Sequence, residues 1–263
     1  MRLLKILLRP IYHRVFRLCL RGRFSLADYR AQRRPQTLPP LPPALLRYRV
    51  SESLSIDTFL RVGKACAGHV DQRIREMGTS LKEAERVLDF GCGCGRTLRW
   101  LAESYPATQF YGVDVDPDAI AWCAKNLEGS TFVNTSPLPP LPFPSGYFDI
   151  AYCFSVFTHL DEGLQNIWLS ELKRIVRPQG IVILTVHGWK AAKVLDKDAA
   201  TQLARSGFVH LRSPKLAGIV PEWYHTSWHS EAYIVARLNA LFTDVHYTAV
   251  CDGLQDLVVA RVH

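Results

Sequence analysis

The run Val87-Leu-Asp-Phe-Gly-Cys-Gly-Cys-Gly-Arg96 constrains this chain more than any other stretch. A short apolar segment, Arg86 to Phe90, carries a carboxylate at Asp89 and breaks into three alternating glycines. A helical pattern starts immediately afterwards at Thr97-Leu-Arg-Trp-Leu101. A strand, a glycine loop and a helix in this order form the opening unit of a doubly wound α/β domain, which brings its backbone up against a nucleotide. The glycines permit the sharp turn and remove Cβ atoms that would hold a ligand away. Alone, the loop leaves dinucleotide and nucleoside ligands nearly equivalent.

The next segments separate them. Thr108-Gln-Phe-Tyr-Gly-Val-Asp114 reads as a second strand ending in a carboxylate 19 positions after Gly95. An acid about 20 residues beyond the glycine loop is placed to accept both hydroxyls of a ribose. Asp116-Pro117 then caps and opens a helix through Lys125. A third strand is predicted at Thr131 to Asn134, a fourth at Tyr147 to Phe154, a helix at Glu162 to Val176 and a fifth strand at Ile181 to Val186. A helix from Ser230 to Phe242 follows, and then paired strands, Thr243 to Val250 and Gln255 to Val262. A tight turn at Asp252-Gly253 makes the last strand antiparallel.

With these pieces in place the chain resembles the class I S-adenosylmethionine (SAM) dependent methyltransferases over most of residues 80–263. The resemblance is carried by Val87-Leu-Asp-Phe-Gly-Cys-Gly-Cys-Gly95, Gly112-Val-Asp-Val-Asp-Pro117, Leu141-Pro-Phe-Pro-Ser-Gly-Tyr-Phe-Asp149 and Leu172-Lys-Arg-Ile-Val-Arg-Pro-Gln-Gly180. Gln179 stands where that family commonly has a second glycine, and Asn134 stands where an acid often ends the third strand. The implied fold is a mostly parallel seven-stranded Rossmann-like sheet, last strand antiparallel, with a helical N-terminal extension. The implied cofactor is SAM, held by Asp89, Gly91, Cys92, Gly93 and Gly95 for the amino-acid tail and sugar. Asp114 and Val115 would take the ribose, Asn134 and Thr135 the adenine, and Phe154 and Ser155 the methionine side. The glycine loop and Asp114 also permit an NAD-dependent oxidoreductase, which the closing hairpin does not favour. A non-catalytic binding module of the same fold is the third reading.

Methyl transfer from a sulfonium relies on positioning, and a hydroxyl acceptor needs a base. The candidate bases are His187, just after the fifth strand, and His225 and His229 in the aromatic stretch Pro221 to His229. His159, at a helix start, reads as structural. After the fourth strand stands Phe154-Ser-Val-Phe157 in place of the Pro-Pro-aromatic motif of enzymes that methylate DNA bases. A small-molecule, saccharide or lipid-linked acceptor is therefore expected, with oxygen preferred. No nucleic-acid partner is indicated.

Around this core, the expected organisation is a basic amphipathic arm and Pro-rich linker over 1–43, a helical cap over 44–84, and a SAM-binding domain over 85–263. Residues 190–228 would form a substrate lid within that domain, with Trp223, Tyr224 and Trp228 as an aromatic wall or as packing for the insert. Residues 1–50 hold 12 Lys/Arg and one acid, Asp28, so they carry +11 while the whole chain carries +8. Leu4, Leu7, Leu8, Ile11, Val15 and Leu18 recur at helical spacing among Arg2, Lys5, Arg9, Arg14 and Arg17. Three readings are open for this arm: packing on the body, contact of residues 1–21 with an anionic membrane, or a cleaved presequence. Seven cysteines without a Cys-x-x-Cys pair point to a reducing compartment, so a cytoplasmic or membrane-peripheral location is expected and no metal site.

Overall fold

The computed structural model describes residues 18–33, 40–211, 225–251 and 255–263. Seven strands form one sheet in the order β3-β2-β1-β4-β5-β9-β8. They are β1 (Arg86–Phe90), β2 (Gln109–Asp114), β3 (Ser130–Asn134), β4 (Phe148–Cys153), β5 (Val176–Val186), β8 (Phe242–Cys251) and β9 (Gln255–Val262). Strands β1 to β5 pair in parallel, and β9 runs antiparallel to both β5 and β8. This is the class I methyltransferase arrangement that the motifs imply. The Asp252-Gly253 turn lies outside the described residues.

Adjacent residues of the central strands feed opposite cores, as the two-residue period of a strand requires. Val87, Ile150, Ile181 and Ile183 pack beneath helix α3 (Ile56–Glu76) and helix α4 (Leu98–Ser104). Leu88, Ala151, Val182 and Leu184 pack beneath α6 (Glu162–Ile175) and α8 (Glu231–Asn239). Burial on both faces explains why these strands read as continuous apolar runs rather than alternating ones. Helix α5 (Pro117–Asn126) opens on Asp116, whose carboxylate accepts from the amides of Asp118 and Ala119.

The strand order reverses between β1 and β4. The helical crossovers on either side therefore diverge and leave a crevice beyond the carboxyl ends of the strands. The lead-in closes this crevice from above. Residues 18–32 form helix α1, which packs on α2 (Ala44–Ser51). Arg99, nearly buried, ties that layer to the glycine loop by donating to the carbonyls of Gly95 (3.0 Å) and Pro40 (2.9 Å). Of the Pro-rich linker, residues 34–39 lie outside the described residues, as do residues 1–17.

The 190–228 insert has regular structure of its own. It contains a 3-10 turn (Ala191–Val194), helix α7 (Lys197–Ser206) and an antiparallel pair, β6 (Phe208–Leu211) and β7 (Thr226–His229). Trp228 packs with Ala191, Ala192, Leu203 and Val209 inside the insert, so it serves as packing rather than as a wall. Trp223 and Tyr224 lie outside the described residues. Among the described residues no helix is long and apolar enough to cross a membrane, and no group of His, Cys, Asp and Glu is arranged to hold a metal.

Candidate active site

A cavity of about 1250 Å³ occupies the crevice. A small-molecule pocket usually measures roughly 300–1,000 Å³, so this one has room for a nucleoside-sized group and a second molecule together. Its lining divides into two ends.

One end is built by β1, the glycine loop and β2. Asp89 is buried at the close of β1, and the Tyr152 hydroxyl donates to its Oδ2 at 3.0 Å. Burial pushes the Asp89 carboxyl up to about 7, with the Tyr152 hydrogen bond pulling the other way. Such a carboxylate is poised for a cation, because an ammonium group would supply the stabilisation that water no longer gives. Asp114 closes β2. Its Oδ2 accepts from the Gly93 amide at 2.7 Å and its Oδ1 from the Asp116 amide at 2.8 Å. Burial raises its pKa, and those two amides oppose the rise. Each oxygen retains acceptor capacity, so Asp114 can shape the loop and still receive ribose hydroxyls.

The glycines answer to the protein as much as to a ligand. Gly93 lies at φ +52°, where a Cβ would sit 2.4 Å from Val50 Cγ1 of the α2 cap. A Cβ on Gly91 would sit 2.3 Å from Val156 Cγ2. Besides permitting the turn, these glycines let α2 and the segment after β4 close over the loop. Gly91, Gly93, Val115 and Thr135 line the cavity, as do Leu46, Arg49 and Val50 of α2 and Val62, Cys66 and His69 of α3. Cys92 and Gly95 sit behind the lining, packed against Gly112 and Leu127 respectively. Asn134 is exposed and does not line the cavity, because its Nδ2 donates to the Asp114 carbonyl at 3.0 Å. Thr135, not Asn134, presents that edge.

The other end gathers residues from distant segments. Ser155 lies at φ 61°, an uncommon conformation for a residue with a side chain, and its amide donates to Thr185 Oγ1 at 2.9 Å. Thr185 Oγ1 donates to Gln255 Oε1 (2.8 Å), and Gln255 Nε2 donates to Ser155 Oγ (2.8 Å). This polar ledge spans the ends of β4, β5 and β9. Phe154 stands beside it. Facing the ledge are apolar Val156, Leu160, Leu164 and Trp168.

Two histidines complete this end, held by strand β7 and by the residue just before it. His187 Nδ1 lies 3.2 Å from the Ser227 carbonyl, and His159 Nδ1 lies 2.6 Å from the His225 carbonyl. A carbonyl only accepts, so each imidazole carries its proton on Nδ1 and its lone pair on Nε2. Burial lowers both pKa values, that of His159 to about 4, so both rings are neutral near pH 7. The other expected bases lie elsewhere. His229 is fully buried behind the site with Nε2 3.0 Å from Gln165 Oε1, and His225 is not part of the cavity lining, meeting it only through its carbonyl's contact with His159. Thr185, Gln255 and His159 were not legible as site residues, since only the fold brings them together.

Residues 87–180 match the family described as "Methyltransferase domain". An rRNA N(6)-adenosine-methyltransferase of Caenorhabditis elegans is 31% identical over 108 residues, which are 38% of this chain and 50% of that protein. A fatty-acid O-methyltransferase of Mycolicibacterium smegmatis is 33% identical over 105 residues, 39% of this chain and 37% of that protein. The chain spans half or less of the length of these curated relatives. The magnesium protoporphyrin IX methyltransferase of Synechocystis, solved with bound S-adenosylhomocysteine, shares the fold with TM-score 0.54 and 18% identity over 82% of this chain and 93% of that one. Glycine loop, paired carboxylates, strand order and sequence match converge: residues 87–180 match a methyltransferase domain, and the sheet around them has the class I methyltransferase fold.

Proposed function

We propose that this protein transfers a methyl group from SAM to the hydroxyl of an uncharged small molecule with an apolar body, and that His187 is the base. The observation that carries the proposal is the division of one cavity into a carboxylate end and an uncharged end. The residues present fit SAM. Asp89 is a buried carboxylate suited to the ammonium of the amino-acid tail, Asp114 has acceptor capacity for a ribose, and Thr135 borders the adenine side. When bound, SAM supplies an electrophilic methyl group with a good leaving group already attached.

The chain's own residues then position the acceptor and hold its proton. Ser155, Thr185 and Gln255 orient polar groups of the acceptor, while Val156, Leu160, Leu164 and Trp168 take its apolar body and exclude water. His187 Nε2 receives the hydroxyl proton as the oxygen–carbon bond forms and the sulfur–carbon bond breaks. The Ser227 carbonyl holds the His187 proton on Nδ1, so Nε2 is free to receive the hydroxyl proton. Residues 190–228 act as the lid of this end, through β7. The described lining of this end has neither Lys nor Arg, which favours a neutral acceptor over a carboxylate or phosphate.

The test is incubation with methyl-labelled SAM and matched panels of neutral alcohols and phenols, carboxylic acids, and amines. Label in ether products, lost in His187→Ala with SAM affinity retained, supports the proposal. Label in esters or amines alone contradicts it.

A further inference from the structure

Helix α1 has two unlike faces. Leu20 and Phe24 are buried against α2, where the rings of Phe24 and Tyr48 stand 5.4 Å apart edge to face. Asp28, the one acid in residues 18–33, turns the same way, its Oδ1 accepting from the Ala44 amide at 2.6 Å. The opposite face carries Leu18, Leu26 and Tyr29, exposed at 61%, 49% and 51%. At 100° per residue these side chains fall on one strip with Gly22 between them. Arg23 and Arg30 run along one flank and Arg21 along the other, while the Arg33 guanidinium lies over the Tyr29 ring at 4.4 Å.

Single exposed apolar residues are ordinary. A strip of three large ones flanked by guanidinium groups, with the lone carboxylate turned inward, is the pattern of a helix lying in a membrane interface. There the apolar strip enters the acyl boundary and the arginines reach the headgroups. The sequence ahead of it supplies charge of the same sign, since residues 1–17 hold five cations and no acid. We propose that the outer face of α1 docks on an anionic lipid bilayer. Helix α2, on which α1 packs, carries Leu46, Arg49 and Val50 in the cavity wall, so docking sets the site one helix away from a reservoir of apolar molecules. The docking itself requires no catalysis and stands apart from the proposed reaction.

The test is flotation of the full chain with phosphatidylcholine vesicles, with and without phosphatidylglycerol. Two variants keep the inner face intact: L18S/L26S/Y29S and R21Q/R23Q/R30Q. Circular dichroism melts and SAM titration establish that each is folded. The expected result is binding to anionic vesicles at least about tenfold tighter than to neutral ones, weakened by salt and falling by about tenfold or more in each variant. Equal binding to both vesicle types overturns the proposal, as does binding that both variants leave unchanged. RNA binding that displaces the vesicles while the serine variant still binds them fully would mark a polyanion surface instead, and would also overturn it.

Discussion

The two ends of the cavity are built in opposite ways. The charged groups of the carboxylate end come from one stretch of chain, Asp89 to Asp114, a single strand–loop–helix–strand unit, to which Thr135 and helices α2 and α3 add walls. The other end draws Ser155, His159, Thr185, His187, Thr226 and Gln255 from four separate segments that only the sheet and β7 bring together. The first end offers charge, through two buried carboxylates. The second offers hydroxyl, amide and imidazole groups against an apolar wall. Under the proposed function, the shared cofactor chemistry rests on local spacing, while acceptor selectivity rests on long-range contacts.

If the division is sound, substitutions at one end leave the other intact. The largest effect belongs to His187→Ala, which lowers kcat by about 10²–10⁴-fold for a hydroxyl acceptor while SAM affinity by calorimetry is unchanged. Because burial depresses the His187 pKa, the wild-type rate falls only as pH drops below the ordinary imidazole range, and a pH–rate profile checks this.

Asp114→Asn comes next. Its amide offers one acceptor oxygen in place of two, so SAM binding weakens by about a hundredfold, the scale of losing one or two hydrogen bonds to a charged acceptor. Turnover at saturating SAM is little changed.

A smaller, graded effect comes from Asp89. Its pKa of about 7 in the ligand-free fold lies above the unfolded value, so between about pH 4 and 7 the folded state binds an extra proton. Stability of the free protein therefore declines as pH rises through that window. SAM affinity follows the opposite course, gaining up to about tenfold per pH unit until near pH 7 and then levelling, because the ammonium needs the carboxylate. Asp89→Asn removes both slopes, in melts and in titrations across pH.

The smallest prediction concerns a residue at neither end. Gln179 lies at φ 65°, the left-handed region where a glycine is at ease. Gln179→Gly relieves that strain at some cost in unfolded-state entropy, and denaturant melts should register a gain of at most about 1 kcal/mol with no change in SAM affinity.

How much of this was legible in sequence follows the same divide. The glycine loop, Asp89, Asp114 and the antiparallel closing strand were readable because each rests on spacing within a few tens of residues. The role of Asn134 was misplaced, because its amide finds the Asp114 carbonyl, a partner no spacing rule reveals. His229 read as a base from its aromatic neighbourhood, yet the pairing of β6 with β7 turns it into the core. Thr185 and Gln255 carried no signal at all. They are ordinary strand residues until β9 inserts antiparallel beside β5, and only then do a hydroxyl and an amide meet at the cavity floor.

The central claim is that the carboxylate end is a SAM site. Titrating the purified chain with SAM, S-adenosylhomocysteine and NADH, read as thermal stabilisation, tests it most directly. A ligand at a hundred times its Kd stabilises a fold by about 2.7 kcal/mol, a shift readily measured. The account predicts stabilisation by both adenosyl ligands, lost in Asp114→Asn and absent with NADH. Stabilisation by NADH alone, or by none of the three, would contradict it.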